Sequence, residues 1–201
     1  MNQIDKLVNS LASFPHSKTI ANPYVEQYAV ENLKHYFDYM FKQKGKKVLL
    51  VGEAPGYKGC RITGIPFTSG RVFYDISHPM LADLKEKIVL PSIESENTAS
   101  IVWNFLADKD TTPLFWNSFP FHPHPKDISN KNRAPNADEL AFGSRILNDL
   151  HRIYRPELVA GVGQKGVAAL EKIFPTQEIQ YIRHPSYGGK EQFIRGMSSV
   201  I

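Results

Sequence analysis

Four side chains in this sequence have types and neighbours that suit chemistry on a bound ligand. Glu53 stands in the stretch GEAPG at residues 52–56, and His184 begins the stretch HPS. Phe67 follows a proline in a polar loop, and Asn117 interrupts an apolar run. A carboxylate can activate water, and an imidazole can stabilise an oxygen that gains negative charge. An aromatic face can stack on a planar ligand, and an amide can both donate and accept hydrogen bonds. These types suit hydrolysis of a planar, polar substrate.

The small residues around Glu53 indicate a tight turn. Gly52, Ala54 and Gly56 let the backbone bend sharply and approach a ligand closely, and free amides there can hold an anion or a polarised water. A plain turn from strand to loop would use the same residues. The other candidates also have structural alternatives: Phe67 could plug the core, Asn117 could bond to neighbouring backbone, and His184 could be structural.

The elements that must position these residues alternate along the chain. Apolar runs predict strands at residues 48–51, 113–121, 157–163 and 178–186. Helical spacing predicts a helix that begins at Asn22-Pro23, a second capped by Asn136, and a short third on which Val167, Ala168, Leu170 and Ile173 pack. The pattern predicts an α/β fold with three layers, α/β/α, around a central four-stranded parallel sheet. Ligands bind such sheets at the carboxyl ends of the strands, where all four candidate residues fall.

Length and composition limit the class of protein. With 201 residues, 42% hydrophobic and 22% charged, we expect a single domain over residues 1–201 with an N-terminal helical extension at about 1–45. No apolar run is long enough for a membrane span, and the start lacks the pattern of a secretory signal, so we expect a cytoplasmic monomer without membrane contact. The net charge of +4 is compatible with a polyanionic partner. The single cysteine, Cys60, excludes an internal disulfide and a four-thiolate metal site.

The motifs together carry a family resemblance. GEAPG followed by TGIPFTS, then WNSFPFHPH with NRAP and Glu139, then HPS, in this order, resembles the uracil-DNA glycosylase superfamily over about Lys47 to Tyr187. The match is closest to the branch whose first motif is GEAPG. The resemblance implies a uracil-DNA glycosylase-like fold and a monofunctional DNA glycosylase of base excision repair. Such an enzyme hydrolyses the N-glycosidic bond of a flipped-out damaged base, most often uracil, in a DNA partner and without a cofactor or metal. That branch commonly binds an iron–sulfur cluster through four cysteines, which this chain lacks.

The resemblance also implies roles for the candidate residues. Phe67 would stack on the extruded base, Asn117 would read its edge, and His184 would stabilise the base oxygen that gains charge. Gly52, Ala54 and Gly56 would line the sugar and the catalytic water. In the GQDPY form of the first motif an aspartate positions that water, whereas this chain has Ala54 there. The resemblance then implies Glu53, the only carboxylate of the motif, as the water activator, with a structural role as acceptor for loop amides as its alternative.

A further set of residues would contact the DNA. The set comprises Thr68, Ser69, Arg133, Ser186, Tyr187 and Lys190, and the alternative for Arg133 is that it anchors its own loop. Tyr187 is the candidate for the bulky residue that fills the space of the flipped base, although the glycines after it depart from the usual proline and leucine. We expect a positive rim around the site from Lys126, Lys131, Arg133, Arg183 and Lys190. His122 and His124 have a spacing that metal sites use, but no matching carboxylate or cysteine set accompanies them, so we expect no metal.

Three alternatives stay open at this point. The chain could be a nucleic-acid-binding homologue with lost or altered catalysis. It could be a glycosylase for hypoxanthine or mismatched thymine, because Gly56 leaves open a position where the family's tyrosine crowds the thymine methyl group. A nucleotide-binding α/β protein would explain the glycine-rich loop but not the order of Phe67, Asn117 and His184.

Overall fold

A computed structural model of the protein describes residues 3–201, so the first two residues of the predicted N-terminal extension lie outside it. The strands are β1 Ile20–Ala21, β2 Val48–Gly52, β3 Leu114–Asn117, β4 His122–Pro123, β5 Leu158–Val162 and β6 Ile179–Ile182. The helices are α1 Gln3–Ala12, α2 Gln27–Lys42, α3 Cys60–Thr63, α4 Val72–Asp75, α5 Pro79–Lys85, α6 Asn97–Leu106, α7 Ala137–Tyr154, α8 Gly163–Ile173 and α9 Lys190–Val200.

The centre of the molecule is a four-stranded parallel sheet in the order β3-β2-β5-β6, which confirms the predicted fold class. Strand β2 is buried along its whole length, as expected for a strand covered on both faces. Crossovers between parallel strands are right-handed, so α7 and α8 cover one face and the chain between β2 and β3 covers the other. A separate pair of short strands, β1 and β4, is antiparallel.

The helices that flank the sheet begin where local chemistry satisfies their first amides. Asn136 accepts from the amide of Glu139 at 2.9 Å, and the Glu139 carboxylate accepts from the amide of Asn136 at 2.8 Å. This capping box starts α7 at the residue that the sequence predicts. Helix α1 adds Leu7, Val8 and Leu11 to the same hydrophobic core as the sheet, so the described part of the N-terminal extension packs on it.

Several predicted details differ from the structure. Asn22 caps only a single 3-10 turn at Pro23–Val25, and α2 starts at Gln27 because the backbone of Glu26 between them is extended. The strand predicted at residues 113–121 ends at Asn117, where the Ser118 amide turns to the carbonyl of Gly52 at 2.8 Å.

The prediction for α8 is wrong at one position, and a group of helices was not predicted. Leu170 is buried, but Ala168 is exposed.

The segment between β2 and β3 contains α3 to α6, and the chain ends in α9. Two of these helices, α3 and α4, have four residues each, too few for a periodic pattern to indicate them.

Candidate active site

A cavity of about 490 Å³ opens at the carboxyl ends of the parallel strands. Glu53, Phe67, Asn117 and His184 all line it, although they come from four separate parts of the chain. The strand ends explain this convergence: Gly52 closes β2, Asn117 closes β3 beside it, and His184 follows β6. The structure therefore brings together the four side chains that the sequence selects.

The loop after β2 is held by the neighbouring strand. The carbonyl of Gly52 accepts from the Ser118 amide at 2.8 Å and from the Ser118 hydroxyl at 2.9 Å, and the carbonyl of Glu53 accepts from the Phe119 amide at 3.0 Å. The Glu53 carboxylate lies 2.8 Å from Nζ of Lys165 and makes no other hydrogen bond to a residue in the range 3–201. Glu53 is therefore fixed at its backbone and oriented at its carboxylate by one cation.

Phe67 occupies an unusual backbone conformation at the edge of the cavity. Its φ of 58° is in the left-handed region, which costs energy for an aromatic residue. Two contacts hold it there: the indole Nε1 of Trp103 donates to the Phe67 carbonyl at 3.0 Å, and the ring stacks on Phe115 with centroids 5.0 Å apart. One face of the ring is thus supported by the core, and the half-buried side chain borders the cavity.

Asn117 has a buried side chain, 5% exposed, whose amide bonds to no other residue in the described chain. The amide is not sealed in the core, since the fully buried side-chain polar atoms without a partner in residues 3–201 are Ser69 Oγ and Trp116 Nε1. The Asn117 amide borders the cavity, so a ligand there could supply both a donor and an acceptor to it.

His184 is oriented by the serine two residues later. The Ser186 amide donates to Nδ1 of His184 at 3.2 Å, and the Ser186 hydroxyl lies 2.7 Å from the same nitrogen. Because an amide can only donate, Nδ1 is an acceptor and the neutral ring carries its proton on Nε2. Burial lowers the pKa of His184 below the usual 6.5, while the Glu96 carboxylate acts in the opposite direction. The ring is therefore a neutral donor through Nε2 at neutral pH.

Tyr187 projects from the same loop into solvent. Its side chain is 99% exposed and its φ is 51°, and the following Gly188 also has a positive φ of 74°. Gly189 then packs so closely on the carbonyl of His184 that a Cβ would not fit there. Tyr187 is therefore an exposed aromatic side chain, with a left-handed backbone conformation, at the edge of the cavity.

The side chains of Thr68 and Ser69, which were expected to lie beside the DNA backbone, are buried. Thr68 is 1% exposed, and its hydroxyl bonds within the protein to the Ile65 carbonyl and the Thr63 hydroxyl, both at 2.8 Å. Ser69 is fully buried. The Thr68 hydroxyl is therefore engaged within the protein, although the residue also lines the cavity.

Arg133 is a structural anchor rather than the predicted DNA contact. Its guanidinium pairs with both oxygens of Glu139, at 2.8 and 2.6 Å, and donates to the carbonyls of Thr19, His124 and Ala134. All five of its N–H groups are therefore used within the protein. Of the predicted positive rim, Arg133 and Arg183 line the cavity, whereas Lys126, Lys131 and Lys190 are exposed at positions that do not line it.

Two charged residues of the cavity were not predicted. Lys165 is the cation that pairs with Glu53, and Glu96 starts α6 by accepting from the amides of Thr98 and Ala99 at 3.0 and 2.7 Å. The sequence carried no clear signal for Glu96, since glutamate is not among the residues typical of an N-cap and Asn97 and Thr98 beside it are. For Lys165 the sequence had no signal, because its partner is 112 residues away.

The residues that suggested a metal site have other partners. Nδ1 of His122 lies 2.9 Å from the Pro55 carbonyl, and its Nε2 lies 3.1 Å from the Ser129 carbonyl, so the ring joins two loops. His124 stacks on it and faces the Pro125 carbonyl. Cys60 is buried, and burial raises the pKa of its thiol to about 12. A single buried thiol does not fit an iron–sulfur cluster with four cysteine ligands.

Comparisons with known proteins agree with this geometry. No helix within residues 3–201 is both long and apolar enough to cross a membrane. No curated protein sequence matches the chain. Among solved structures, wild-type SMUG2 from Pedobacter heparinus matches with a TM-score of 0.67 and 15% identity, over 99% of this chain and 96% of that chain, which shows a shared fold. The family model described as the uracil DNA glycosylase superfamily matches residues 40–193, and the chain therefore belongs to the uracil DNA glycosylase superfamily.

Proposed function

We propose that the protein is a DNA glycosylase that hydrolyses the N-glycosidic bond of a flipped-out damaged base, with uracil as the expected base. The observation that carries this proposal is the meeting of Phe67, Asn117, His184 and Glu53 around one cavity of about 490 Å³. A base extruded from DNA needs a stacking surface, a group that reads its edge and a way to lose its bond to the sugar. Phe67 would supply the stacking surface and Asn117 the edge-reading group, and His184 and Glu53 together would serve the breaking of the bond.

The base-binding half of the site comprises Phe67, Asn117 and His184. The ring of Phe67, supported from behind by Phe115, offers its other face to the base. The unpartnered amide of Asn117 would donate to one atom of a pyrimidine edge and accept from the next. Nε2 of His184 would donate to the base oxygen that becomes negative as the bond breaks, which stabilises the leaving group without a proton transfer.

The sugar half of the site depends on Glu53. A water oxygen bonds to C1′ of the deoxyribose while the bond from C1′ to the base nitrogen breaks and its electron pair leaves with the base. Glu53 takes the proton of that water. Ala54 and the amides of the loop would lie along the sugar, where no side chain competes with the water. The site thus places an acceptor for the proton on one side of the sugar and a donor to the base on the other.

The contacts to DNA outside the cavity are proposed for Ser186, Tyr187 and Lys190. Tyr187 would enter the duplex at the space that the flipped base leaves, as its full exposure permits. Lys190 is exposed at the start of α9, where it can attract phosphates.

The identity of the base depends on the space beside Gly56. A Cβ at Gly56 would meet only the Asn132 side chain, at 4.0 Å. This open space would admit the methyl group of a mismatched thymine or the larger ring of hypoxanthine, so these bases are the alternatives to uracil.

A second candidate function is DNA binding without catalysis. It is favoured by Ala54 at the position of the family's aspartate. Both functions predict DNA binding, but only the first predicts a chemical product.

One experiment separates these functions. The purified protein is incubated with duplex and single-stranded oligonucleotides that contain uracil, hypoxanthine or thymine opposite guanine, and alkali then cleaves any abasic site. Cleavage at the modified position supports the glycosylase and identifies its base. Binding without cleavage of any substrate would support the second function.

A further inference from the structure

Lys165 lies in the catalytic cavity without a role in the proposed reaction. It stands in the first turn of α8, and its Nζ is 2.8 Å from Oε1 of Glu53. The two residues are separated by 112 positions, so only the fold brings them together. Because their side chains are 65% and 36% exposed, the ion pair adds little to folding. Its position suggests that it serves the site instead.

The first turn of α8 is fixed closely against the end of β2. A Cβ at Gly166 would lie 2.7 Å from the Val51 carbonyl, so only glycine permits this approach. Gly163 has a φ of 74° and lies beside His184. A Cβ atom added to Gly163 would be 3.4 Å from the Cβ of His184. The backbone of Lys165 is therefore held near both Glu53 and His184 by contacts that do not involve its own side chain.

The Glu53 carboxylate depends on Lys165 for its orientation. The Lys165 ammonium is its only hydrogen-bond donor within residues 3–201. Without that donor, the long and flexible side chain of glutamate would sample several rotamers. A general base must point at the water whose proton it takes, and a small displacement lowers the rate strongly.

We propose that Lys165 is the positioning residue for Glu53, which holds the carboxylate over the cavity in the orientation that activates water. This inference rests on the proposed function, because it assumes that Glu53 takes a proton from water. In this role Lys165 acts through the Glu53 carboxylate, and Glu53 alone takes the proton of the water. A direct contact of Lys165 with a DNA phosphate is the competing role.

The test combines Lys165→Met and Lys165→Arg with Glu53→Gln. Single-turnover rates on uracil-containing duplex and affinities for undamaged duplex are measured for each single variant and for the double variant Lys165→Met/Glu53→Gln. Lys172→Met is the matched control, because Lys172 lies on the same helix and does not line the catalytic cavity. Thermal unfolding of each variant shows that it is folded.

We expect Lys165→Met to lower the single-turnover rate about ten-fold and to change the affinity for undamaged DNA no more than Lys172→Met does. Lys165→Arg should retain most of the wild-type rate, because arginine keeps a cationic donor at this position. In the Glu53→Gln background, Lys165→Met should have almost no further effect, because residues that act through each other are not additive.

The results that overturn the inference differ from those that overturn the proposed function. A ten-fold loss that persists in the Glu53→Gln background, or a loss seen only in affinity, would show that Lys165 acts independently of Glu53, for example on a phosphate. The glycosylase would then stand without this role for Lys165. An inactive wild-type protein would overturn both.

Discussion

A Cβ atom on Gly52 would lie 2.6 Å from Cζ of Phe67, so the aromatic ring packs directly on the backbone at the end of β2. The same Cβ would lie 2.9 Å from Oδ1 of Asn117. Gly52, the first glycine of GEAPG, does not have a positive φ, so its backbone conformation does not require glycine. Glycine is required there because a side chain would not fit. It lets the stacking ring and the reading amide approach each other.

This contact predicts the effect of Gly52→Ala. The added methyl group must displace the Phe67 ring, which is stacked on Phe115, so we expect unfolding free energy to fall by about 1–3 kcal/mol and base excision to fall with it. Urea denaturation checks the first effect. Gly56→Ala is the control for stability, because its Cβ meets nothing closer than 4.0 Å, and it should change unfolding by less than about 0.5 kcal/mol. Equal stability of the two variants would contradict the packing explanation.

Glu53→Gln tests the assignment of the water activator. If Glu53 takes the proton, the single-turnover rate should fall by about two orders of magnitude, because an amide cannot act as a base. The melting temperature should barely change, since the carboxylate has only one exposed ion pair to lose. An active but destabilised variant would assign Glu53 to bracing the loop and leave the family membership intact.

Tyr187→Ala should affect duplex DNA more than single strands. If the exposed ring fills the space of the flipped base, its loss should lower excision from duplex about ten-fold or more, since it no longer opposes return of the base to the stack. Excision from single-stranded DNA should change little, because there the flipped base leaves no space in a duplex for Tyr187 to fill. Tyr181→Ala, at a tyrosine on β6 that is 48% exposed, is the control. Equal losses on both substrates would exclude a wedge.

Four histidines predict how stability depends on pH. Burial lowers the pKa of His78, His122, His151 and His184 below the usual 6.5. Below that value the unfolded chain binds protons that the folded chain does not bind, so the stability present above pH 6.5 is lost as the pH falls towards the folded pKa values. Chemical denaturation at about pH 7.5 and about pH 5.5 should give a lower unfolding free energy at the acidic value. Equal or greater stability at the acidic value would contradict the neutral, buried state of these rings.

The sequence predicted the parts of this protein that local patterns determine. Apolar runs indicated the strands of the sheet, and topology then required Glu53, Asn117 and His184 to meet at one edge. Asn136 and Glu139 indicated the start of α7 through their spacing alone.

The sequence could not predict contacts that depend on distant partners. Arg133 was expected to face DNA, but the fold places the Thr19 carbonyl beside it, 114 residues away, and Glu139 neutralises its charge. Thr68 and Ser69 were expected beside the DNA backbone, but both side chains are buried. Lys165 was not predicted for the same reason. A single lysine in a helix does not indicate a functional site until its partner Glu53, 112 residues away, is known.

The most direct test of the proposed function is release of free base by His184→Ala and by the wild-type protein under single-turnover conditions. Wild type should release uracil from duplex and leave an abasic site. His184→Ala should do so about two to three orders of magnitude more slowly, with nearly unchanged affinity for undamaged DNA, because His184 stabilises charge that exists only as the bond breaks. A wild-type protein that binds these substrates but releases no base, or a His184→Ala variant as fast as wild type, would contradict the account.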